Sequence, residues 1–159
     1  MSTPAAAPAP FEPEFIDALT TLFEDTITFN RTLGLRITAI AAEQVTGSIE
    51  MRPDLIGHHG HQRLHGGVIS ATLDAMAGLA VMAAIGARHM DEPPAKRMQR
   101  FSRLGTIDMR IDYLRQGIGE RFTLSARVLR LGSRIASTQM QFMGADGTLL
   151  ATGAATYVL

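Results

Sequence analysis

The sequence predicts an α+β fold in which one antiparallel β-sheet wraps around a long central α-helix, with an extra helix at the N-terminus. Three observations support this prediction. An apolar run at Val68–Ala87 is long enough for a buried helix, two strand-like runs precede it, and four more follow it. Because glycine-containing segments separate the later runs at hairpin distances, we expect the strands to alternate in direction and to pack on the helix.

The first 10 residues form a lead-in rich in Ala and Pro, which is typical of a disordered segment. This lead-in contains neither a basic region nor an apolar region, so a signal peptide is not expected. Residues 11–159 are expected to form a single domain. A chain of 159 residues with 46% hydrophobic side chains can build one substantial core.

Helical spacing of apolar side chains predicts an amphipathic helix over Glu12–Phe29. Two strands are predicted next, at about 35–42 and 45–51, and their short connection favours a hairpin. A polar loop at 52–63 leads into the central helix, and a second loop follows the helix. The last strands are predicted at about 105–114, 122–131, 134–143 and 148–158, arranged as a four-stranded meander.

Charge and cysteine content exclude several classes of function. The formal net charge is zero, so nucleic acid or an anionic membrane is not expected as a partner bound through bulk charge. The absence of cysteine excludes disulfides and thiolate metal sites, and it fits a cytoplasmic location. A membrane span is not expected either, because the Asp in the apolar run costs about 2.5–3.5 kcal/mol on insertion scales.

That carboxylate, Asp74, is the only ionisable side chain between Gly67 and Ala87. A carboxylate removed from water is costly unless it is paired or protonated, and such groups cluster where chemistry is done. On a helical wheel at about 100° per residue, small side chains surround it and leave room for a substrate or for another helix. We therefore predict that Asp74 is catalytic and that three residues on its face, Ser70, Ala71 and Gly78, contact the substrate.

The motif His65-Gly66-Gly67, followed by Asp74, resembles the signature of hotdog-fold acyl-CoA thioesterases of the PaaI-like type, in the 4-hydroxybenzoyl-CoA thioesterase superfamily. Later segments are similar to a bacterial subgroup of YigI-type enzymes: Leu104–Arg115, Gly119–Phe122 and Ala151–Tyr157. The resemblance covers about 29–159. It implies the hotdog fold, hydrolysis of acyl-CoA thioesters with medium to long chains, and homodimers with interfacial sites that often pair into tetramers.

The two glycines that open the central helix have a chemical role in such a reaction. Thioester hydrolysis needs a polarised carbonyl and either an activated water or a carboxylate nucleophile. The first N–H groups of a helix lack internal partners and lie at the positive end of its dipole. Gly66 and Gly67 are therefore predicted to form an oxyanion hole, although a tight turn without a ligand would also explain them.

The distance between Gly66 and Asp74 has a consequence for the assembly. Eight residues of helix span about 12 Å, which is too far for both residues to serve one carbonyl carbon. A two-fold dimer with its helices side by side would bring Gly66 of one protomer near the partner's Asp74, and symmetry would create two sites.

The loop before the helix departs from the related enzymes, which usually carry an Asn six or seven residues before the motif His. Here those positions are His59 and His58. Either imidazole could hydrogen-bond a carbonyl or water, or act as a general acid or base, and either could simply be solvated. His65 is expected to orient the loop through its ring nitrogens. These three histidines complete the predicted catalytic set.

Three other functions remain open at this point. Four histidines, His58, His59, His61 and His65, lie within eight residues and could bind a metal, but their spacing matches no zinc motif, so neither a metal nor a cofactor is predicted. The hotdog fold also includes acyl-CoA hydratases and dehydratases, and fold alone does not discriminate between them and hydrolases. A non-catalytic acyl-CoA-binding protein is the third alternative.

Both ends of an acyl-CoA substrate have candidate binding residues. The acyl pocket is predicted to include Met76, Leu79, Val81 or Met82. The phosphates of CoA require local positive charge because the protein is neutral overall. The candidates are a basic loop with Lys96, Arg97, Arg100 and Arg103, and the pair Arg130 and Arg134, although either cluster could be an ordinary solvated surface.

Overall fold

A computed structural model describes residues 10–159 of the chain, and this part contains four α-helices and eight strands. The helices are α1 (Pro13–Thr21), α2 (Thr28–Leu33), α3 (Gly66–Arg88) and α4 (Pro94–Gln99). The strands are β1 (Arg36–Ile40), β2 (Val45–Glu50), β3 (Ile56–His58), β4 (Arg63–Leu64), β5 (Gly105–Tyr113), β6 (Arg121–Leu131), β7 (Ile135–Gly144) and β8 (Leu149–Val158). The predicted lead-in, residues 1–10, lies outside the described residues apart from Pro10.

Six strands form one antiparallel sheet in the order β1-β2-β6-β7-β8-β5, and β3 pairs with β4 separately. The predicted α+β class and the β1–β2 hairpin are confirmed. The four-stranded meander is wrong, because β5 pairs with β8 and not with β6. The connection at 114–120 is longer than a usual hairpin loop. Backbone N–H groups of Leu114 and Arg115 donate to the Leu150 carbonyl, which holds the end of β5 against β8.

The sheet curves around α3, whose apolar face supplies the centre of the core. Leu73, Met76 and Leu79 are fully buried there. By length and composition α3 could also cross a membrane, but 61% of its most apolar window is buried inside the fold. Packing against the sheet therefore accounts for the apolar character of this helix.

The N-terminal region differs from the single helix predicted over Glu12–Phe29. After α1 the chain makes a π-helical turn at Leu22–Thr26, becomes extended at Ile27, and only then forms α2. Three consecutive β-branched residues at 26–28 weaken the helix at this point. The break is held by Glu24, whose carboxylate accepts hydrogen bonds from the Ile37 N–H (2.6 Å) and from Arg36 (2.8 Å) on β1.

A short helix that the sequence did not predict, α4, anchors α1 to the rest of the fold. Its Arg97 is completely buried, forms an ion pair with Glu12, and lies 4.3 Å from the centre of the Phe15 ring. Phe15 is also fully buried and packs directly on α3 at Gly86. A charged side chain in this position is a structural residue, since removing its partner would leave an uncompensated buried charge.

The contact between Phe15 and Gly86 predicts a stability effect. A Cβ atom at Gly86 would lie 2.4 Å from the Phe15 ring, so Gly86→Ala should lower the free energy of unfolding by about 1–3 kcal/mol. Gly78→Ala in the same helix is the matched control, because its Cβ would meet Tyr157 only at 3.8 Å. Urea unfolding should show a loss for the first variant and no loss for the second. Equal free energies for the two variants would contradict the close packing of α1 on α3.

Candidate active site

The side chain of Asp74 is fixed by two hydroxyl groups. Its Oδ1 accepts hydrogen bonds from Tyr157 Oη (2.6 Å) and Thr106 Oγ1 (2.8 Å), and Tyr157 Oη also lies 2.8 Å from the Asp74 backbone oxygen. Oδ2 accepts no hydrogen bond from the described residues. One carboxylate oxygen is therefore held by the protein, and the other is available to a reactant.

Tyr157 acts on Asp74 as a hydrogen-bond donor. Its ring is 2% exposed on the inner face of β8. Burial raises the pKa of the Tyr157 phenol well above its ordinary value, and the hydrogen bond to Asp74 raises it further. The phenol stays protonated at neutral pH. It therefore orients the carboxylate and is not a base.

A cavity of about 320 Å³ lies beside Asp74. Ala71 and Gly78 line this cavity, as their position on the Asp74 face of the helix predicts. Thr106 and Tyr157 also line it. Ser70 does not line this cavity, and its hydroxyl donates to the Gly67 carbonyl over 3.2 Å. The remaining wall comes from the N-terminal region, from α3 and from the start of β5: Phe23, Ile27, Phe29, Asn30, Ala75, Leu104 and Gly105.

The predicted acyl-pocket residues are not in this wall. Met76, Leu79 and Val81 are fully buried in the core, and Met82 is half-buried outside the cavity lining. Met76 faces the sheet, where its Sδ would lie 3.0 Å from a Cβ at Gly47. The three buried side chains belong to the core instead, and the sequence alone does not show that the apolar N-terminal segment closes over the small residues near Asp74.

Gly66 lies in a second cavity, of about 400 Å³, which Asp74 does not line. Tyr113 Oη donates a hydrogen bond to the Gly66 carbonyl over 3.0 Å. The Gly66 N–H meets no acceptor among residues 10–159. This amide therefore remains free to bind an anion at the start of α3.

The Gly67 N–H is not free, as a donor of the predicted oxyanion hole would have to be. This N–H donates to His65 Nδ1 over 2.8 Å, so the imidazole caps the helix and occupies this amide. The prediction of two free amides must be corrected to one. The contact agrees with the structural role expected for His65, which orients the start of the helix through a ring nitrogen.

Strand β5 connects the two cavities. Thr106 near its start bonds Asp74, and Tyr113 at its end bonds Gly66. In a regular strand, side chains seven positions apart point to opposite faces of the sheet. In β5, however, the register of the pairing with β8 shifts by one residue between Thr106 and Asp108. This bulge at Ile107 turns both side chains toward α3. Because β5 is the last strand in the sheet order, its outer edge pairs with no other strand among residues 10–159 of one protomer.

The histidine loop lies away from both cavities. His58, His59 and His61 are exposed, and none of them lines the Asp74 or the Gly66 cavity. The rings of His58 and His61 stack at 4.8 Å. Within residues 10–159, no group of three side chains is placed to hold a metal ion. The geometry thus gives the metal-binding alternative no support, and the roles predicted for His58 and His59 stay predictions.

The predicted CoA-binding arginines fall into different groups. Arg97 is buried and unavailable to a ligand. Arg100 and Lys96 both bind Glu92, at 2.6 and 3.0 Å, and their hydrogen bonds lower the pKa of Glu92 to about 2, so this cluster stays paired at neutral pH. Three others are exposed and form no ion pair within the described part of the chain: Arg103, Arg130 and Arg134.

Comparison with known proteins identifies the class. The family model of the thioesterase superfamily matches residues 61–151. A crystal structure of a thioesterase-superfamily protein from Shewanella oneidensis is 37% identical and superposes with a TM-score of 0.85, covering 93% of this chain and 99% of that one. A candidate thioesterase from Syntrophus aciditrophicus is 34% identical, with a TM-score of 0.82 and coverage of 92% and 96%.

Two relatives have more specific names. The medium/long-chain acyl-CoA thioesterases YigI of Escherichia coli (strain K12) and Salmonella typhimurium (strain LT2) are each 37% identical over 131 residues, which are 82% of this chain and 84% of each relative. The chain belongs to the thioesterase superfamily and has its hotdog fold, which confirms the resemblance seen in the sequence. It is an enzyme of the thioester hydrolase class.

Sequence reasoning missed the residues that hold the site in place. Thr106, Tyr113 and Tyr157 lie 32, 47 and 83 positions from their partners on α3, so no local motif signals them. A partial signal exists for Tyr157, because alternation along β8 places it on the inner face with Ala151 and Ala155. One polar side chain on a face of small apolar residues suggests a hydrogen-bond partner inside the fold.

Proposed function

We propose that this protein hydrolyses acyl-CoA thioesters to a free acid and CoA, with medium- to long-chain acyl groups as substrates. The proposal is supported by membership of the thioesterase superfamily and by the names of the YigI relatives. The single observation that carries it is the arrangement at Asp74. A carboxylate with one oxygen held by two hydroxyls lies beside a largely apolar cavity.

In this reaction Asp74 attacks the thioester carbonyl or takes a proton from the attacking water. The carbonyl π electrons move to the oxygen, and the Gly66 N–H donates to the resulting oxyanion at the positive end of the α3 dipole. When the carbonyl reforms, the C–S bond breaks and CoA leaves as a thiolate, which takes up a proton from Asp74 or from solvent. If Asp74 is the nucleophile, the acyl group is then bound to its carboxylate as a mixed anhydride, and water hydrolyses this anhydride to release the acid and restore Asp74. Tyr157 and Thr106 keep the carboxylate oriented through these steps. The reaction needs no metal or cofactor.

The proposed site is shared by two protomers of a homodimer, because Gly66 and Asp74 lie in separate cavities of one chain. The exposed edge of β5 offers a surface for antiparallel pairing with a second copy. A pairing centred on Arg110, in which the bulge at Ile107 takes up one residue, would set Thr106 beside the partner's Tyr113. The Asp74 cavity of one protomer would then meet the Gly66 cavity of the other, and pairs of dimers could form a tetramer.

Release of CoA tests this function. Purified protein should release free thiol from decanoyl-CoA, and a series of saturated acyl-CoAs of increasing length should show the chain-length preference. The same protein should not hydrate a 2-enoyl-CoA. Hydration without thiol release would identify a hydratase, and tight binding without either reaction would identify a non-catalytic acyl-CoA-binding protein.

We further propose a cytoplasmic location and no nucleic-acid or membrane partner.

Binding of the CoA phosphates leads to a prediction for the exposed arginines. Replacing Arg103, or Arg130 and Arg134 together, with Gln should raise KM for acyl-CoA and leave kcat largely intact, because phosphate contacts form equally in the ground and transition states. The salt dependence of KM should weaken. A pantetheine thioester without the nucleotide is the control substrate. Equal losses on both substrates would show that the arginines act on folding or on the reaction centre.

A further inference from the structure

The only asparagine of the chain, Asn30, lies in the wall of the Asp74 cavity with an unmet hydrogen bond. It belongs to α2 and is 4% exposed. Its Nδ2 has no hydrogen-bond partner among residues 10–159. Native proteins pair most of their buried polar side chains, so each exception requires an explanation.

In the part of the chain that the structure describes, no hydrogen bond of the fold uses the Nδ2 end of this carboxamide. The end of α2 is held through the Asn30 backbone carbonyl, which accepts the Leu35 N–H over 3.1 Å, and any residue could supply that carbonyl. A leucine of similar volume would suit the adjacent wall, where Phe23, Ile27 and Leu104 are apolar. The polar side chain is therefore costly to the folded protein and contributes no hydrogen bond in return.

The other polar groups of the cavity are either engaged or, in the case of the Asp74 Oδ2 atom, used by the proposed reaction. Thr106 and Tyr157 both donate to Asp74. A saturated hydrocarbon chain in this cavity would leave Asn30 unpaired. A hydroxyl group on the chain would not, because a hydroxyl both donates and accepts and can pair with either end of a carboxamide.

We propose that Asn30 is a specificity-determining residue that hydrogen-bonds a hydroxyl carried by the acyl chain, so that hydroxyacyl thioesters are the preferred substrates. This inference rests on the proposed acyl-CoA hydrolysis, with the acyl chain in the Asp74 cavity. A site that hydrogen-bonds a substrate hydroxyl discriminates against the analogue without it, because the buried partner is then left unpaired.

The test compares three C12 substrates: dodecanoyl-CoA, 3-hydroxydodecanoyl-CoA and 12-hydroxydodecanoyl-CoA. The wild type should have the highest kcat/KM for one of the hydroxylated esters. Asn30→Leu should lower that value by about tenfold or more, and it should raise kcat/KM for dodecanoyl-CoA through a lower KM. Thr32→Val, an exposed position of the same helix, is the control and should keep the wild-type ratio.

Two kinetic outcomes would overturn the inference. Equal losses on all three esters would show that Asn30 is needed for packing, and a fall in kcat alone on all three would show that it holds the reacting water. Calorimetric binding of the three free acids, which needs no turnover, separates this inference from the proposed function. If a hydroxy acid binds more tightly to the wild type and this advantage is lost in Asn30→Leu, the inference about Asn30 is supported even without hydrolysis. If the protein hydrolyses the esters but does not discriminate between hydroxylated and plain chains, the inference about Asn30 is overturned and the proposed function stands.

Discussion

Asp74→Asn is expected to lower kcat for acyl-CoA hydrolysis by about 10²-fold or more and to leave the protein folded. The substitution removes the negative charge that a nucleophile or a base requires. The Asn side-chain oxygen can still accept the hydrogen bonds from Tyr157 and Thr106, so the local structure should persist. Stability should hold or rise, because a catalytic carboxylate in a partly buried site is costly to the fold.

Asp17→Asn is the matched control for this measurement, since Asp17 is an exposed carboxylate on α1, away from the β5 edge. It should keep wild-type turnover. CoA release under saturating substrate, together with the free energy of unfolding of both variants, separates loss of chemistry from loss of folding. An Asp74→Asn protein that is well folded and turns over at the wild-type rate would remove Asp74 from the mechanism.

The second large effect is expected at Gly66, where the backbone N–H can be removed without breaking the helix. Gly66 is the first residue of α3, a position that tolerates proline. The preceding His65 has φ −67° and ψ 134°, the extended conformation that proline requires before it. Gly66→Pro removes the proposed oxyanion donor and should lower kcat by roughly 10²–10³-fold.

Gly66→Ala controls for the added bulk, because it keeps the N–H. Its Cβ would lie 3.4 Å from the Tyr113 ring, an ordinary contact, so the variant should fold. We expect a smaller loss of kcat than in Gly66→Pro. Equal activities of the Pro and Ala variants would mean that the N–H does not stabilise the transition state.

The sequence predicts the elements of this fold better than their arrangement. Strand positions and the central helix follow from periodicity, which is a local property of the chain. The pairing of β5 with β8 depends on contacts between distant segments, and so the predicted meander was wrong. The break at Ile27 had the same cause, since the contacts of Glu24 with β1 override a local helical pattern.

The residues of the candidate site also divide into those with a local signal in the sequence and those that depend on contacts between distant segments. Asp74 and Gly66 could be predicted because each has a local signature, an isolated carboxylate in an apolar helix and a glycine at its first turn. The hydrogen bond from the Gly67 N–H to His65 could not be predicted, because it depends on one side-chain rotamer of His65. The partners of Asp74 and the unpaired Asn30 come from remote strands and helices, so only the folded structure brings them to the cavity.

The central claim is that each active site uses Asp74 from one protomer and Gly66 from its partner, and mixing two inactive variants tests it most directly. Asp74→Asn and Gly66→Pro damage different halves of the site. In a heterodimer one site collects both defects, and the other has neither. After subunit exchange, confirmed by native mass spectrometry of differently tagged chains, activity should return to at most about half of the wild-type value per heterodimer. No recovery despite demonstrated exchange, with both parent variants folded and dimeric, would contradict the shared site.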